Sequence, residues 1–413
     1  MTRANASFAI ALLASLVAGP AGVIGPVGDA RANSVYSVGG LGEPSLAEGA
    51  RLRALGGAGV AEHGERTHSF VNPASIAEAE HLLIEGTILP SYRRLDSVNF
   101  GKETGHETAI PSLRAMIRLP TGLVLAGSYL VGTNAHFDIL REETGGTPST
   151  VRIEGRGGLD LIRVSLARKA TPGIRLGVDY EVIAGSFREE WSRDFADTAL
   201  ATARDTLETS YSRYGRWRIG GQYSRGSVSV GGVYETARRL PLTITQRTAG
   251  TLVQREGESL TIPSGFTAGF SAGLTERFRL VGQYRRANWD RESLASDLVD
   301  FRAEERYSFG VERLRALDAN VGFLSRLPIR VGATLLRWPD LLPVSGASSI
   351  AGGTADINEV AFSIGTGLQS RDKGGAIDLS LEAGSRGSKE DLGVSERFVR
   401  FAISLQVSDD TWK

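Results

Sequence analysis

Residues 269–273 read GFSAG, the G-x-S-x-G form of a hydrolase nucleophile elbow. That chemistry needs a sharp strand-to-helix turn that exposes the serine hydroxyl, with a histidine later in the chain. All five histidines precede Ser271, and the five residues lie inside an alternating apolar pattern. We therefore predict that this segment is an ordinary strand with Ser271 on its polar face.

A group of histidines and carboxylates could be a metal site. His63, His68 and His81 lie near Glu62 and Glu65 in the chain, and imidazole and carboxylate are common zinc ligands. Their spacing matches no established metal motif, and the segment has no regular period. We predict polar side chains in a wet interior, with no metal, no cofactor and no enzymatic activity.

The overall composition removes several classes of function. The 413 residues contain 47 basic and 47 acidic side chains, so no net positive charge points to nucleic acid. Cysteine is absent, which excludes disulfides and thiol nucleophiles. Glycine is abundant, at 51 residues, well above its usual share of about 7%.

The first 32 residues have the features of a secretory signal peptide. Arg3 is followed by the apolar run from Phe8 to Ala18, and residues 30–32 read ARA, the form expected before a cleavage site. The run is short of the roughly 20 apolar residues that a membrane anchor needs. We predict export, cleavage after Ala32 and a mature start near Asn33.

The chain from Leu82 onward alternates apolar and polar residues, which indicates β-strands with one buried face. Alternation alone does not tell a soluble barrel from a membrane barrel. Export, about fourteen segments and lengths near the 9–11 residues of a spanning strand favour the membrane version. The clearest segments are residues 113–119, 174–182, 266–274, 307–311, 329–335, 377–383 and 399–407.

The connections divide into short turns and longer loops. Residues 120–122 and 171–173 are turn sequences that fit the periplasmic side, and the polar stretches 141–150 and 287–303 fit extracellular loops. Asp194 to Thr206 has a helix-forming composition and predicts a short helix within one loop.

Arg51 to Ala77 stands apart from the strands because it is rich in glycine and alanine and has no period of 2 or 3.6. Gly56, Gly57 and Gly59 allow backbone to pass close to backbone, and Pro73 fixes a turn after Asn72. A plug inside a larger structure and an ordinary N-terminal loop both fit these features.

The run ALGGAGVA at residues 54–61, followed by Asn72, Pro73 and Ala74, resembles the N-terminal hatch of FadL/TodX-type outer-membrane proteins. Trp289 after the strand pair that follows Ile262-Pro263 also resembles that family. The resemblance implies a fourteen-stranded barrel with its N-terminus folded inside. The long helical loop of the family member best known to us has only residues 194–206 in its place.

The sequence therefore predicts an all-β transmembrane antiparallel barrel of about 14 strands with an N-terminal hatch in the lumen. The expected divisions are a signal peptide at 1–32, a hatch at 33–80 and an outer-membrane barrel at 81–413. The predicted hatch residues are Gly56, Gly57, Gly59, Asn72, Pro73 and Ala74.

What the resemblance implies about function is uptake of long-chain fatty acids or other hydrophobic compounds across the outer membrane of a Gram-negative-type bacterium. The expected partners are membrane lipid and a hydrophobic small molecule, with no nucleic acid, and the chain is expected to be a monomer. The ligand-binding residues are not identified by the sequence. A barrel that does not transport but scaffolds a surface or secretion assembly remains the alternative, and a lipid-acting enzyme comes third.

Overall fold

The structure is a computed structural model. It describes residues 34–37, 41–64, 68–79, 82–98, 101–143, 147–197, 202–248, 251–289, 300–314, 326–343, 354–369 and 374–409. The predicted signal peptide, Glu65 and His81 lie outside these ranges.

Fourteen antiparallel strands form one closed barrel within the described residues. The first strand pairs with the last, from Leu82 opposite Asp409 to Ser97 opposite Val394, so the sheet has no free end strand. In chain order the strands are β1 (Leu82–Ser97), β2 (Gly101–Arg118), β3 (Leu123–Val131), β4 (Ser149–Thr171), β5 (Ile174–Phe195), β6 (Ala203–Arg225), β7 (Val228–Glu235), β8 (Gly265–Gly273), β9 (Phe278–Ala287), β10 (Glu304–Arg313), β11 (Ile329–Pro343), β12 (Thr354–Gln369), β13 (Gly375–Arg386) and β14 (Val394–Asp409).

Shorter strand segments extend some of these strands beyond the barrel. β3 resumes as Thr133–Asn134 and Phe137–Glu143, and β7 and β8 are extended by the hairpin of Arg238–Thr248 and Thr251–Ile262. Asp300–Phe301 precedes β10. The end of the barrel that carries these extensions is called the loop end, and the end with the short turns at 119–122, 172–173 and 226–227 is called the turn end.

The two faces of the wall confirm the membrane type of barrel. Along β5, Leu176 and Tyr180 point outward and are 54% and 42% exposed, whereas Arg175, Asp179 and Glu181 point inward and are buried. The same arrangement, with apolar side chains outside and charged side chains inside, holds in β13 and β14. A soluble barrel has the reverse arrangement, because its core must be apolar.

The predicted helix at 194–206 is wrong at both ends. Phe195 ends β5 and Ala203 begins β6, and the two strands remain paired up to Arg193 opposite Ala203. Backbone pairing between the two long strands outweighs the helix propensity of the alanines. Residues 198–201 lie outside the described ranges, as do 144–146 and 290–299 of the two predicted loops. Residues 141–143 and 149–150 of the first loop are strand rather than loop.

Among the described residues, no helix combines the length and the apolar character required to span a membrane.

Candidate functional site

Residues 41–64 and 68–79 lie inside the barrel, and these described parts of the N-terminal segment are called the hatch below. It contains the helix α1 (Ala50–Arg53) and a 3-10 helix at Pro73–Glu78. Leu52, Leu55 and Ile76 are among its fully buried side chains. Small buried residues, such as Ala54, Ala58 and Ala74, allow the segment to fold tightly within the lumen.

Wall glycines provide the space for the hatch. A methyl group added at Gly310 of β10 would lie 2.8 Å from the Cα and O atoms of Leu55, and one added at Gly269 of β8 would lie 2.7 Å from Val60 Cγ1. Real Cβ atoms do not come this close to other heavy atoms, so glycine is required there. The wall glycines that face the hatch are Gly177, Gly220, Gly231, Gly269, Gly310, Gly332 and Gly365.

The predicted hatch glycines meet different constraints. Gly56 and Gly57 have φ values of 66° and 81°, a conformation that L side chains rarely adopt. Gly59 has no such strain, but a methyl group there would lie 2.6 Å from Ser69 Oγ. The Gly59 N–H donates to Gln283 Oε1 of the wall at 3.0 Å.

Asn72, Pro73 and Ala74 form a turn that is pinned to the wall. Asn72 Oδ1 accepts from the Ala74 N–H at 2.9 Å and caps the following 3-10 helix. Asn72 Nδ2 donates to the Val60 carbonyl at 2.7 Å and to the Gly221 carbonyl at 3.2 Å. One side chain thereby joins two parts of the hatch to β6.

A first group of ion pairs holds the start of the hatch. Glu43 contacts Arg93 at 2.5 Å, Arg386 at 2.8 Å and Arg400 at 2.6 Å, and all four residues are buried. Burial raises the pKa of the Glu43 carboxyl, but the three guanidinium groups outweigh burial and hold the pKa well below its usual value. Glu43 is therefore ionised and ties the hatch to three strands.

Two further carboxylates tie down the middle and the end of the hatch. Glu62 accepts from Arg51 at 2.9 Å and contacts Arg279 at 3.2 Å. Glu78 contacts Arg175 at 2.8 Å and Lys169 at 2.9 Å near the turn end. These pairs join the hatch to β9, β5 and β4.

The two described candidate histidines contact other parts of the hatch. His63 Nδ1 lies 3.2 Å from Glu78 Oε2, and His68 Nδ1 lies 3.4 Å from the Ser75 carbonyl. No group of three potential metal-ligating side chains occurs in the described part of the chain. Ser271 lies buried within β8, which has no strand-to-helix turn at that point.

A cavity of about 170 Å³ lies above the middle of the hatch, towards the loop end. Apolar side chains such as Leu41, Ile183 and Trp289 line one part of it and belong to a buried apolar cluster. Five arginines and three glutamates line the other part, which gives the cavity an excess of positive charge. The charged residues are Arg163, Arg216, Arg218, Arg285, Arg306, Glu48, Glu235 and Glu304.

Arg306 of β10 is exceptional among these arginines. Its side chain is 8% exposed and lines both this cavity and a second one, of about 60 Å³, across the hatch. Its Nε atom has no hydrogen-bond partner, and its guanidinium forms no ion pair within the described residues. The neighbouring Glu304 forms an ion pair with Arg285 instead, at 2.9 Å. Arg306 is therefore a buried cation available to a ligand.

The wall is interrupted beside the hatch. β2 pairs with β3 only from Ser112 to Arg118, and the continuation of β3 at Phe137–Glu143 pairs with β4 rather than with β2. Between them the chain folds inward, where Thr133 and Asn134 pair with Pro44 and Glu43 of the hatch. The wall therefore has a side gap between β2 and the inward fold.

A cavity of about 680 Å³ occupies this side gap. Ile88 and Ile110, which are 45% and 38% exposed on the outer surface, form part of its lining. Gly157, Gly158 and Gly185, all with positive φ, line the opposite part. A methyl group at Gly158 would overlap the Thr133 carbonyl, so the inward fold depends on this glycine.

Sequence reasoning missed three parts of this arrangement. The wall glycines occupy inward-facing positions of strands in which apolar and polar residues alternate. Their positions within this alternation could have been found in the sequence. The break in β3 is preceded by Gly132, but nothing local predicts that residues 133–134 pair with the hatch. Arg306 is one of many inward-facing charges, and its lack of a partner is a property of the folded state only.

The fold and the site define a class of protein: a fourteen-stranded, membrane-type barrel that is plugged by its own N-terminal segment and open at one side. Solved FadL-type outer-membrane barrels are similar to it, and the resemblance drawn from the sequence is confirmed at the level of the fold.

Three solved structures document the similarity. A Pseudomonas aeruginosa FadL homologue has a TM-score of 0.61 at 10% identity, covering 87% of this chain and 98% of its own. The Ralstonia pickettii toluene transporter TbuX has a TM-score of 0.54 at 14% identity, covering 87% and 98%. The Pseudomonas putida toluene transporter TodX has a TM-score of 0.52 at 14% identity, covering 89% and 98%.

Comparisons at the level of sequence cover a smaller part of the chain. The model of a family named BamG matches residues 233–413, which is less than half of the chain. No curated protein matches the sequence.

Proposed function

We propose that the protein is an outer-membrane transporter that takes up hydrophobic compounds through its plugged barrel and releases them at the side gap. The observation that carries the proposal is the cavity of about 680 Å³ that joins the interior beside the hatch to the apolar outer surface at Ile88 and Ile110. An apolar ligand gains little from an open aqueous pore, whereas a lateral exit leads it into lipid. The structural similarity to transport barrels supports the same function.

The proposed route begins at the loop end, which we place outside the cell. There a buried cluster that includes Phe137, Phe187 and Trp289 offers an apolar surface above the cavity at Arg306. The inward fold of β3 and the hatch segment paired with it line the boundary between that cavity and the side gap. In the proposed route, a small movement of the inward fold and its paired hatch segment connects the cavity at Arg306 with the side gap.

The proposed ligand is an amphiphile with an acidic head, such as a long-chain fatty acid. Arg306 supports this choice, because a buried guanidinium without a carboxylate partner is stabilised by an incoming anion. The apolar lining beside it matches an acyl chain. A neutral hydrocarbon would leave this charge unpaired.

The test compares Arg306→Gln with Arg239→Gln, a control at an exposed arginine of the loop-end hairpin. Uptake of a long-chain fatty acid and of a neutral hydrocarbon is measured in cells that express equal amounts of folded protein. Loss of a charged hydrogen bond is worth about 1.5–3 kcal/mol, so Arg306→Gln should weaken fatty-acid affinity about 10- to 100-fold and leave the hydrocarbon unaffected. Equal uptake of the fatty acid by both variants would refute the acidic-head proposal.

A second candidate function is a scaffold that does not transport. The three groups of ion pairs at Glu43, Glu62 and Glu78 favour it, because they hold the hatch firmly in the lumen. If neither compound is taken up by the unchanged protein, the transporter proposal fails and the scaffold remains.

A further inference from the structure

Two arginines mark the loop-end edge of the apolar outer surface. Along β14 the outward-facing side chains are apolar from Val407 to Val399, and the next outward-facing residue is Arg397. Along β1 the exposed Tyr92 is followed on the same face by Arg94. Aromatic side chains occupy the headgroup region at the edge of the lipid-facing band, so both arginines lie where lipid headgroups begin.

The two arginines are direct cross-strand neighbours. Arg94 and Arg397 stand opposite each other in the pairing of β1 with β14, and both are exposed. Like charges directly opposite each other destabilise a sheet unless an anion neutralises them. Neither arginine forms an ion pair with any other described residue.

The surrounding side chains add to the positive charge. Lys102 of β2 stands opposite Asp96, and Lys389 lies 2.7 Å from the same carboxylate. These five side chains therefore comprise four cations and one carboxylate, and Lys389 already engages that carboxylate. The surface at Arg94 and Arg397 therefore has a net positive charge.

The same position on three other strands shows how the chain neutralises such a pair by itself. Glu305 of β10 contacts Arg286 of β9 at 3.3 Å and Arg337 of β11 at 3.0 Å. On each of these strands, the residue is the next outward-facing one beyond the apolar side chains, on the side of the loop end. Here a carboxylate pairs with both arginines, whereas no described carboxylate forms an ion pair with Arg94 or Arg397.

We propose that Arg94 and Arg397, with Lys102 beside them, bind the phosphate groups of an outer-leaflet glycolipid headgroup. Guanidinium binds phosphate through paired hydrogen bonds, and two adjacent groups suit a headgroup with more than one phosphate. The apolar surface below Tyr92 contacts the acyl chains of the same lipid. This contact distinguishes a lipid from free phosphate, because free phosphate has no acyl chain to contact the apolar surface.

The experiment titrates the detergent-solubilised full-length protein with bisphosphorylated lipid A and measures bound lipid by native mass spectrometry. The variants are Arg94→Gln/Arg397→Gln and the control Arg286→Gln/Arg337→Gln, which removes the same charge from the neutralised position. The affinity of the first variant should fall about tenfold or more, and that of the control should stay within about twofold. Heat-modifiable migration on gels confirms that each variant is folded.

Two further arms identify the source of the phosphate. Lipid A without phosphates should bind the unchanged protein and the first variant equally, and inorganic phosphate alone should bind the unchanged protein more weakly than lipid A does. The proposal would be overturned if the unchanged protein bound lipid A equally well with and without its phosphates. An equal fall in lipid affinity in the control variant would also overturn it. Inorganic phosphate that binds as tightly as lipid A would also overturn it, in favour of a free-anion site.

Discussion

The wall glycine at position 310 gives a sharp test of how the hatch is seated. A methyl group at Gly310 would lie 2.8 Å from Leu55 Cα and O, atoms of the hatch backbone that no rotamer change can move. Leu55 is fully buried, so it cannot move aside without shifting α1 and the glycines that follow. Gly310→Ala should therefore separate the hatch from the wall while the barrel stays closed.

The size of the effect follows from the cost of overpacking, about 1–3 kcal/mol for an added methyl group in a packed interior. If that cost falls on the seated hatch, its opening equilibrium increases roughly 5- to 150-fold. The matched control is Gly232→Ala on β7, where the nearest atom to the added methyl group is the Thr267 carbonyl oxygen at 3.8 Å. The control should be neutral or slightly stabilising, because alanine restricts the unfolded chain.

Amide hydrogen exchange measures the outcome segment by segment. Residues 50–62 should exchange faster in Gly310→Ala than in the unchanged protein, with β10 and β11 unaltered and Gly232→Ala unaltered throughout. Unchanged exchange at 50–62 would show that Leu55 does not press on this strand. Faster exchange along the strands themselves would show that the barrel, rather than the hatch seat, has been weakened.

Three other outcomes are expected. Glu43→Gln removes the carboxylate that three buried arginines share and should cost about 3–5 kcal/mol, seen as a lower midpoint of thermal unfolding, whereas Lys389→Gln at the exposed pair should change it little. Burial raises the pKa of Glu78, but hydrogen bonds from Arg175, Lys169 and His63 outweigh it and bring the pKa to about 2. The stability from Glu78 is thus present above its ordinary pKa of 4.5 and lost as the pH falls towards 2, so exchange at residues 73–79 should rise over that range, and Glu78→Gln should abolish the rise. N-terminal sequencing of the purified protein should begin at Asn33, and any other first residue would refute cleavage after Ala32.

The barrel was predictable from the sequence because strand alternation is local. Leu176, Tyr180 and Val399 follow one face of their strands, and that face decides the membrane type once export and strand number are considered. The helix predicted at 194–206 failed because a propensity cannot report that two long strands stay paired past the segment.

The site was less predictable because its geometry depends on distant parts of the chain. Gly56 and Asn72 were predicted as hatch residues through a resemblance, but the wall residues that they contact, such as Gly332 and Gly221, lie far away in sequence. The inward fold at Thr133 requires a partner near Glu43, which no local pattern reveals. The free charge of Arg306 appears only after every carboxylate around it has been assigned.

The most direct test of a plugged transport barrel is bilayer conductance of the intact protein and of a form lacking residues 51–77, measured together with fatty-acid uptake. The barrel closes through strand pairing and its lipid-facing side chains, so the shortened form should still fold. The account predicts low conductance for the intact protein, higher conductance after the deletion, and uptake by the intact protein only. Equal conductance of the two forms, with no uptake by either, would contradict it.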